Sequence, residues 1–181
     1  MARVTRETYL RAGLEILGES GSEGLTVPTL CERLAITKGS FYHHFESLPA
    51  FHTAVLAYWE HEHTVEPIAR LSDGEDDAIW QVPRLTETAV ALPHATEAAL
   101  RAWGTSNPEV AACQARVDAS RQERIRQVLM AVGVEAKAAG LLADTAVSVL
   151  VGFQHRPPLD VARLRAMFGE LNRLIYLEAG D

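Results

Sequence analysis

Three residues suited to opening a helix, Thr26, Thr37 and Ser47, follow one another at intervals of eleven and ten positions. A Ser or Thr side chain at such a point accepts a hydrogen bond from the first turn, so each marks an N-cap. Pro28 and Pro49 fall in the first turns that follow, where a missing N–H would be unpaired in any case. The helices between these starts are therefore short. One runs from Thr26 to about Leu34, a turn holds Ala35 and Ile36, and a second begins at Thr37. A longer helix precedes them from Thr5, with Leu10, Gly13, Leu14 and Leu17 on one face, and stops in "GESGSEG". A fourth starts at Ser47, carries Phe51, Val55, Tyr58 and Trp59 at helical spacing, and reaches about Val65 before Pro67. Two short helices joined by a tight turn behind a longer one form a helix-turn-helix.

The rest of the chain also reads as helix, so the expected fold class is all-α. "RLSDGEDDAIWQVPRL" predicts a loop, acidic and interrupted by Gly74 and Pro83. Further helices are expected at about 84–92, 94–104, 107–132, 135–154 and 160–178, the last two separated by Pro157-Pro158. No apolar run approaches the roughly 18 residues that span a bilayer, and "MARVTRETYL" offers no signal peptide. Cys31 and Cys113 are the only cysteines, too few for a disulfide framework. A reduced, cytoplasmic protein without membrane contact is expected.

Bulk charge gives no hint of nucleic acid. The formal net charge is 17 − 24 = −7. Residues 1–50 hold five bases (Arg3, Arg6, Arg11, Arg33, Lys38) and six acids (Glu7, Glu15, Glu19, Glu23, Glu32, Glu46), leaving −6 for the remainder. DNA binding must therefore be argued from geometry.

The stretch "ITKGSFYHHF", Ile36 to Phe45, admits three readings. As a metal site it fails on spacing: His43-His44 and His61-x-His63 diverge by about 100° and 200° around a helix, whereas zinc needs converging ligands. No metal and no cofactor are expected. As core, Phe41 and Phe45 stand four apart and face Leu30 and Leu34, with Ile36 beside them. That leaves Thr37, Lys38, Gly39, Ser40, Tyr42, His43 and His44 on the other faces. All can donate hydrogen bonds and none is acidic, a composition suited to base edges and phosphates in a major groove.

Residues 24–56, "GLTVPTLCERLAITKGSFYHHFESLPAFHTAVL", resemble the DNA-binding region of the TetR family of bacterial transcriptional regulators, with Thr26, Ile36, Thr37, Lys38, Gly39, Tyr42, His44 and Phe45 in register. The resemblance covers about residues 5–60. It implies a helix-turn-helix reader over 1–46 and a C-terminal helical domain over 47–181 that binds a small effector and dimerises. It also implies that Thr26 touches phosphate, that Lys38, Gly39 and Ser40 face the groove, and that Tyr42 with His43 or His44 meets the backbone. The implied function is a regulator, most often a repressor, released from double-stranded DNA with an inverted-repeat operator by a small molecule. The chain departs from the family at the start of the fourth helix, where Leu48 stands in place of a common lysine.

In the C-terminal part, Leu164, Met167, Phe168, Leu171, Leu174 and Ile175 form a stripe on the last helix. The helix before it carries Gly140, Ala143, Ala146, Val147, Leu150 and Val151. The stripe suits either packing within one chain or a four-helix bundle between two, and the resemblance favours a homodimer through about 135–178. Trp80, His94, Arg101, Trp103, Cys113 and Phe153 are polar or aromatic residues on otherwise apolar helices, and are the candidate effector contacts. No catalytic residues are expected, because no Gly-rich phosphate loop, G-x-S-x-G or H-E-x-x-H occurs. A purely protein-binding adaptor is the other class considered, and the acid-free face from Thr37 to His44 argues against it.

Overall fold

Hydroxyl side chains open the first four helices. Thr5, Thr26 and Thr37 accept from the N–H of Thr8, Thr29 and Ser40, each at 3.3 Å, and Ser47 from that of Ala50 at 3.2 Å. In a computed structural model that describes residues 4–72 and 78–179, these caps start α1 (Arg6–Gly24), α2 (Val27–Leu34), α3 (Lys38–His44) and α4 (Leu48–Glu60). A π-helix, His61–Val65, follows α4 directly. Beyond it lie α5 (Glu66–Ser72), α6 (Ala78–Val90), α7 (His94–Gly104), α8 (Pro108–Ala131), α9 (Ala136–Gln154) and α10 (Val161–Ala179). The fold is all-α, and no strand occurs among the described residues.

The departures from expectation have local causes. The glycine-rich "GESGSEG" kinks α1 rather than ending it, because Gly21 takes φ 68°, a conformation open to glycine. The fourth helix does not reach Val65 as α-helix but widens into the π turn. The segment expected as a loop is helical through Ser72 and again from Ala78, and residues 73–77, Gly74 among them, lie outside the described residues. Pro83 sits inside α6 at the loss of one backbone bond. Burial of Val82, Thr86 and Val90 holds that helix in place. Helix α9 has a mean hydropathy of 1.5 over an 18-residue window and is long and apolar enough to cross a membrane by composition, contrary to expectation. An uninterrupted-run criterion stops at Asp144, whereas a window averages across it. Ala139, Ala143, Ala146, Leu150 and Phe153 of α9 are buried in the chain's own interior.

The chain forms two compact units, residues 1–62 with 93–114, and residues 63–92 with 115–181. This division by packing differs from the expected functional one at 46/47. In the first unit, Tyr9, Leu10, Ile16 and Leu17 of α1 share an interior with Leu30, Phe41, Phe45, Phe51, Val55 and Trp59. A Cβ on Gly13 would stand 2.9 Å from Cζ of Phe51 and 3.0 Å from Cγ2 of Val55, so glycine permits the close crossing of α1 and α4. On α7, Thr96 donates to the Leu14 carbonyl at 3.1 Å, and the buried carboxylate of Glu97 accepts from Trp59 Nε1 at 3.0 Å. The second unit closes around Val82, Val128, Leu129, Leu150, Phe153, Leu164, Phe168, Leu171 and Ile175.

Candidate nucleic-acid interface and cavity

The turn before α3 is made by Ala35, which adopts the left-handed conformation (φ 51°, ψ 48°). Its N–H bonds the Glu32 carbonyl at 3.2 Å, and that of Ile36 bonds Cys31 at 3.0 Å. Arg33 closes the other side of α2. Its guanidinium forks onto Glu19 of α1 and lies 3.6 Å from Glu15, and these hydrogen bonds hold the Glu19 carboxyl below its ordinary range.

Helix α3 then presents two faces. Phe41 and Phe45 are buried, with ring centroids 5.4 Å apart. Phe51 packs edge-on against them at 5.5 and 4.8 Å. Thr37, Lys38, Gly39, Tyr42 and His43 are exposed, Tyr42 to 55%. Five of the expected contact residues thus share one solvent face that carries a cation and no carboxylate.

Ser40 and His44 lie elsewhere. Both are half-buried on the flank turned to α1, where the Ser40 hydroxyl is 2.8 Å from that of Tyr9 and the His44 ring stands 5.1 Å from the Tyr9 ring. Thr26 is half-buried at the start of α2, its hydroxyl 2.8 Å from that of Thr29. Two residues that sequence reasoning did not single out hold this arrangement. Tyr9 spans α1 to α3, and Arg6 donates to the His44 carbonyl at 2.8 Å while its guanidinium covers the Phe45 ring at 4.4 Å. Arg6 thereby pairs a carbonyl at the end of α3 that the helix itself leaves open. The signal for Tyr9 was present, since it stands one place before Leu10 and seven before Ile16 on the apolar side of α1. Among the described residues no three His, Cys, Asp or Glu side chains are grouped to hold a metal ion.

The second unit contains a cavity of about 90 Å³ between the π-helix, α5, α6, α8, α9 and α10. Its walls are chiefly apolar, with Leu129, Leu150, Phe168 and Leu171 among them, and they include Arg121, Arg124 and Thr64. None of the six expected effector contacts lines it. His94, Arg101, Trp103 and Cys113 belong to the first unit. There Trp103 stacks edge-on against His52 at 5.1 Å, and the Cys113 thiol lies 3.5 Å from Glu60 Oε2. Trp80 is exposed at the start of α6, and Phe153 is part of the core. In the structure these six residues occupy positions away from this cavity. The available signal was Arg121 and Arg124, three apart on α8 beside Ile125 and Leu129.

The expected dimer stripe on α10 also divides. Leu164, Phe168, Leu171 and Ile175 are buried within the chain, while Met167, Leu174 and Leu177 are exposed, the last two to 51% and 61%.

Residues 10–47 match the family described as bacterial regulatory proteins, tetR family. The chain is similar to the HTH-type transcriptional regulator UidR of Escherichia coli (strain K12), with 31% identity over 117 residues, 61% of this chain and 57% of UidR. It therefore spans little more than half the length of that relative. Against the tetracycline repressor protein class A from transposon 1721 of Escherichia coli, identity is 38% over 69 residues, 36% of this chain and 32% of that protein. The fold is similar to that of a transcriptional regulator from Saccharomonospora viridis solved in complex with choline. The TM-score is 0.77 at 15% identity, covering 93% of this chain and 95% of that one.

Proposed function

We propose that this chain is a regulator of the TetR family, whose model matches residues 10–47, and that it is a homodimeric repressor whose operator is an inverted repeat. The observation that carries this reading is the solvent face of α3, where Thr37, Lys38, Gly39, Tyr42 and His43 stand together without a carboxylate. Lys38 and Gly39 meet base edges near the start of the helix, and Tyr42 and His43 meet phosphate. Thr26 adds a phosphate contact at the start of α2. Ser40 and His44 act from behind, by holding α3 against α1 through Tyr9. The exposed apolar residues of α10, Met167, Leu174 and Leu177, are the candidate seam between two copies.

A small molecule bound in the cavity releases the DNA. The π-helix supplies His63 and Thr64 to the cavity lining and is the direct continuation of α4. A ligand shifts operator affinity only by binding one conformation better than another, and a tenfold loss needs about 1.4 kcal/mol of coupling. The test is a mobility-shift titration with DNA flanking the protein's own gene, read against an unrelated duplex. Equal binding to both sequences would sink the operator reading.

A further inference from the structure

The charged side chains of the cavity lining are of one sign. Arg121 and Arg124 of α8 contribute to its lining, and no described lining residue is acidic, in a chain with a net charge of −7. Thr64 lines the same space from the π-helix. It is 2% exposed, and its hydroxyl has no hydrogen-bond partner among the described residues. A buried hydroxyl is costly to leave unpaired, and native structures seldom do so without a reason. Arg121 stands beside this hydroxyl's segment, since its Nη2 donates to the His63 carbonyl at 3.3 Å. The remaining walls are mainly hydrocarbon, including Leu129, Leu150, Phe168 and Leu171. His63, Thr86, Thr88 and Asn172 are the other polar residues, and Asn172 donates a hydrogen bond to the Thr86 hydroxyl.

We infer that the cavity binds a small amphipathic monocarboxylate, its head group accepting a hydrogen bond from the Thr64 hydroxyl beside Arg121 and Arg124, its apolar body against Leu129, Leu150 and Phe168. The inference rests on reading this cavity as the effector site and names the class of effector. Charge-assisted hydrogen bonds to guanidinium and hydroxyl are the strong ones available to a carboxylate. Size limits the body. An apolar cavity of about 150 Å³ takes up benzene, so about 90 Å³ admits a single ring or a short chain only with slight expansion. The lining is poorly suited to a quaternary ammonium ion of the choline type. Such cations are held by several aromatic faces, and here one phenyl ring, that of Phe168, is present without any carboxylate.

Calorimetric titration of the full chain with hexanoate and benzoate, beside hexanamide, benzamide and choline, tests this. Each acid should bind roughly tenfold or more tightly than its amide, the margin a charge-assisted contact supplies, and choline should give no heat. Thr64→Val, which keeps the side chain's shape, should weaken both acids. Arg124→Gln should reduce the preference for acid over amide, and if that variant fails to fold, Thr64→Val with the amide comparison carries the test alone. Equal binding of acid and amide, tighter binding of choline, or no binding of either acid at millimolar concentration overturns the assignment. Operator affinity is measured in the same samples. A carboxylate that binds in this manner yet leaves operator affinity unchanged supports the ligand class and sinks the effector reading. Intact operator binding with no acid preference sinks the ligand class alone.

Discussion

The hydroxyl of Tyr9, on a side chain fully buried in α1, lies 2.8 Å from the hydroxyl of Ser40 in α3. Two hydroxyls at that separation make one hydrogen bond, and it joins the first helix to the one that carries the candidate DNA face. Tyr9 also packs against the rings of Phe41, His44 and Phe45. Tyr9→Phe removes the bond and keeps the ring. The expected cost is about 1 kcal/mol of stability, the usual net worth of such a bond, read as a lowered urea midpoint with an unchanged m-value. Ser40→Ala should cost a similar amount, and the double variant little more than either alone.

Phe41 and Tyr42 are neighbours with opposite surroundings, one fully buried and the other 55% exposed. Phe41→Ala is expected to cost about 3–5 kcal/mol, as emptied aromatic core sites do. Tyr42→Phe should leave the melting temperature almost unchanged and weaken binding by a similar factor on operator and altered duplexes, because phosphate contacts carry position and not sequence. Lys38→Ala should weaken binding too. Loss confined to the operator marks a base contact, and a salt slope lowered by about one unit marks a phosphate. Thermal melts with binding titrations at two salt concentrations check all three variants.

Leu171 and Leu174 stand on one helix, three positions apart, 8% and 51% exposed. Leu174→Glu should yield a folded monomer in sedimentation at micromolar concentration, since the added charge would be trapped only between two copies. Leu171→Glu places the charge in the core and cavity wall of its own chain and should lower the melting temperature sharply at any protein concentration. A parent protein that sediments as a monomer while binding operator rules out the seam.

The hydrogen bonds of Arg126, aided by Gln127, hold the Glu123 carboxyl down at about 2, from an ordinary 4.5. A carboxylate whose folded value is depressed stabilises the fold at pH above its unfolded value, and that contribution disappears as pH falls through the folded value. The stability difference between the parent and Glu123→Gln should therefore be constant above about pH 5 and vanish between 4.5 and about 2. The pair is exposed and the effect small. Denaturant midpoints across that pH range give the difference, and a gap that widens on acidification would contradict the assignment.

The first four helices were legible because their signals are local. A hydroxyl, a proline and the spacing of apolar residues act within one turn, and the caps at Thr5, Thr26, Thr37 and Ser47 needed nothing from the rest of the chain. The exposed part of the candidate interface was legible for the same reason, given Phe41 and Phe45 as its inner edge. Ser40 and His44 were not, because their placement depends on Tyr9, 31 and 35 positions earlier in the sequence. The cavity was least legible. Its walls come from five α-helices and the π turn, and neither Thr64 nor Arg124 shows in one dimension which neighbour it meets. The division of the α10 stripe is likewise a property of its partners, since Leu171 and Leu174 are the same residue type.

The π turn at His61–Val65 changes what insertions and deletions do to this protein. Before it, Phe51, Val55 and Trp59 recur inward every fourth residue, and an unbroken α-helix would next bury Glu62 or His63. Thr64 is buried instead, and Glu62 is exposed. The wide turn absorbs a residue that α geometry has no place for, worth about 100° of rotation. Removing one residue from "HEHTV" would restore α phase there and bring a different set of side chains round in place of Thr64. Substitutions in this segment alter single contacts, whereas its length works as a frame-setting count, as indivisible for the faces that follow as a codon is for a message.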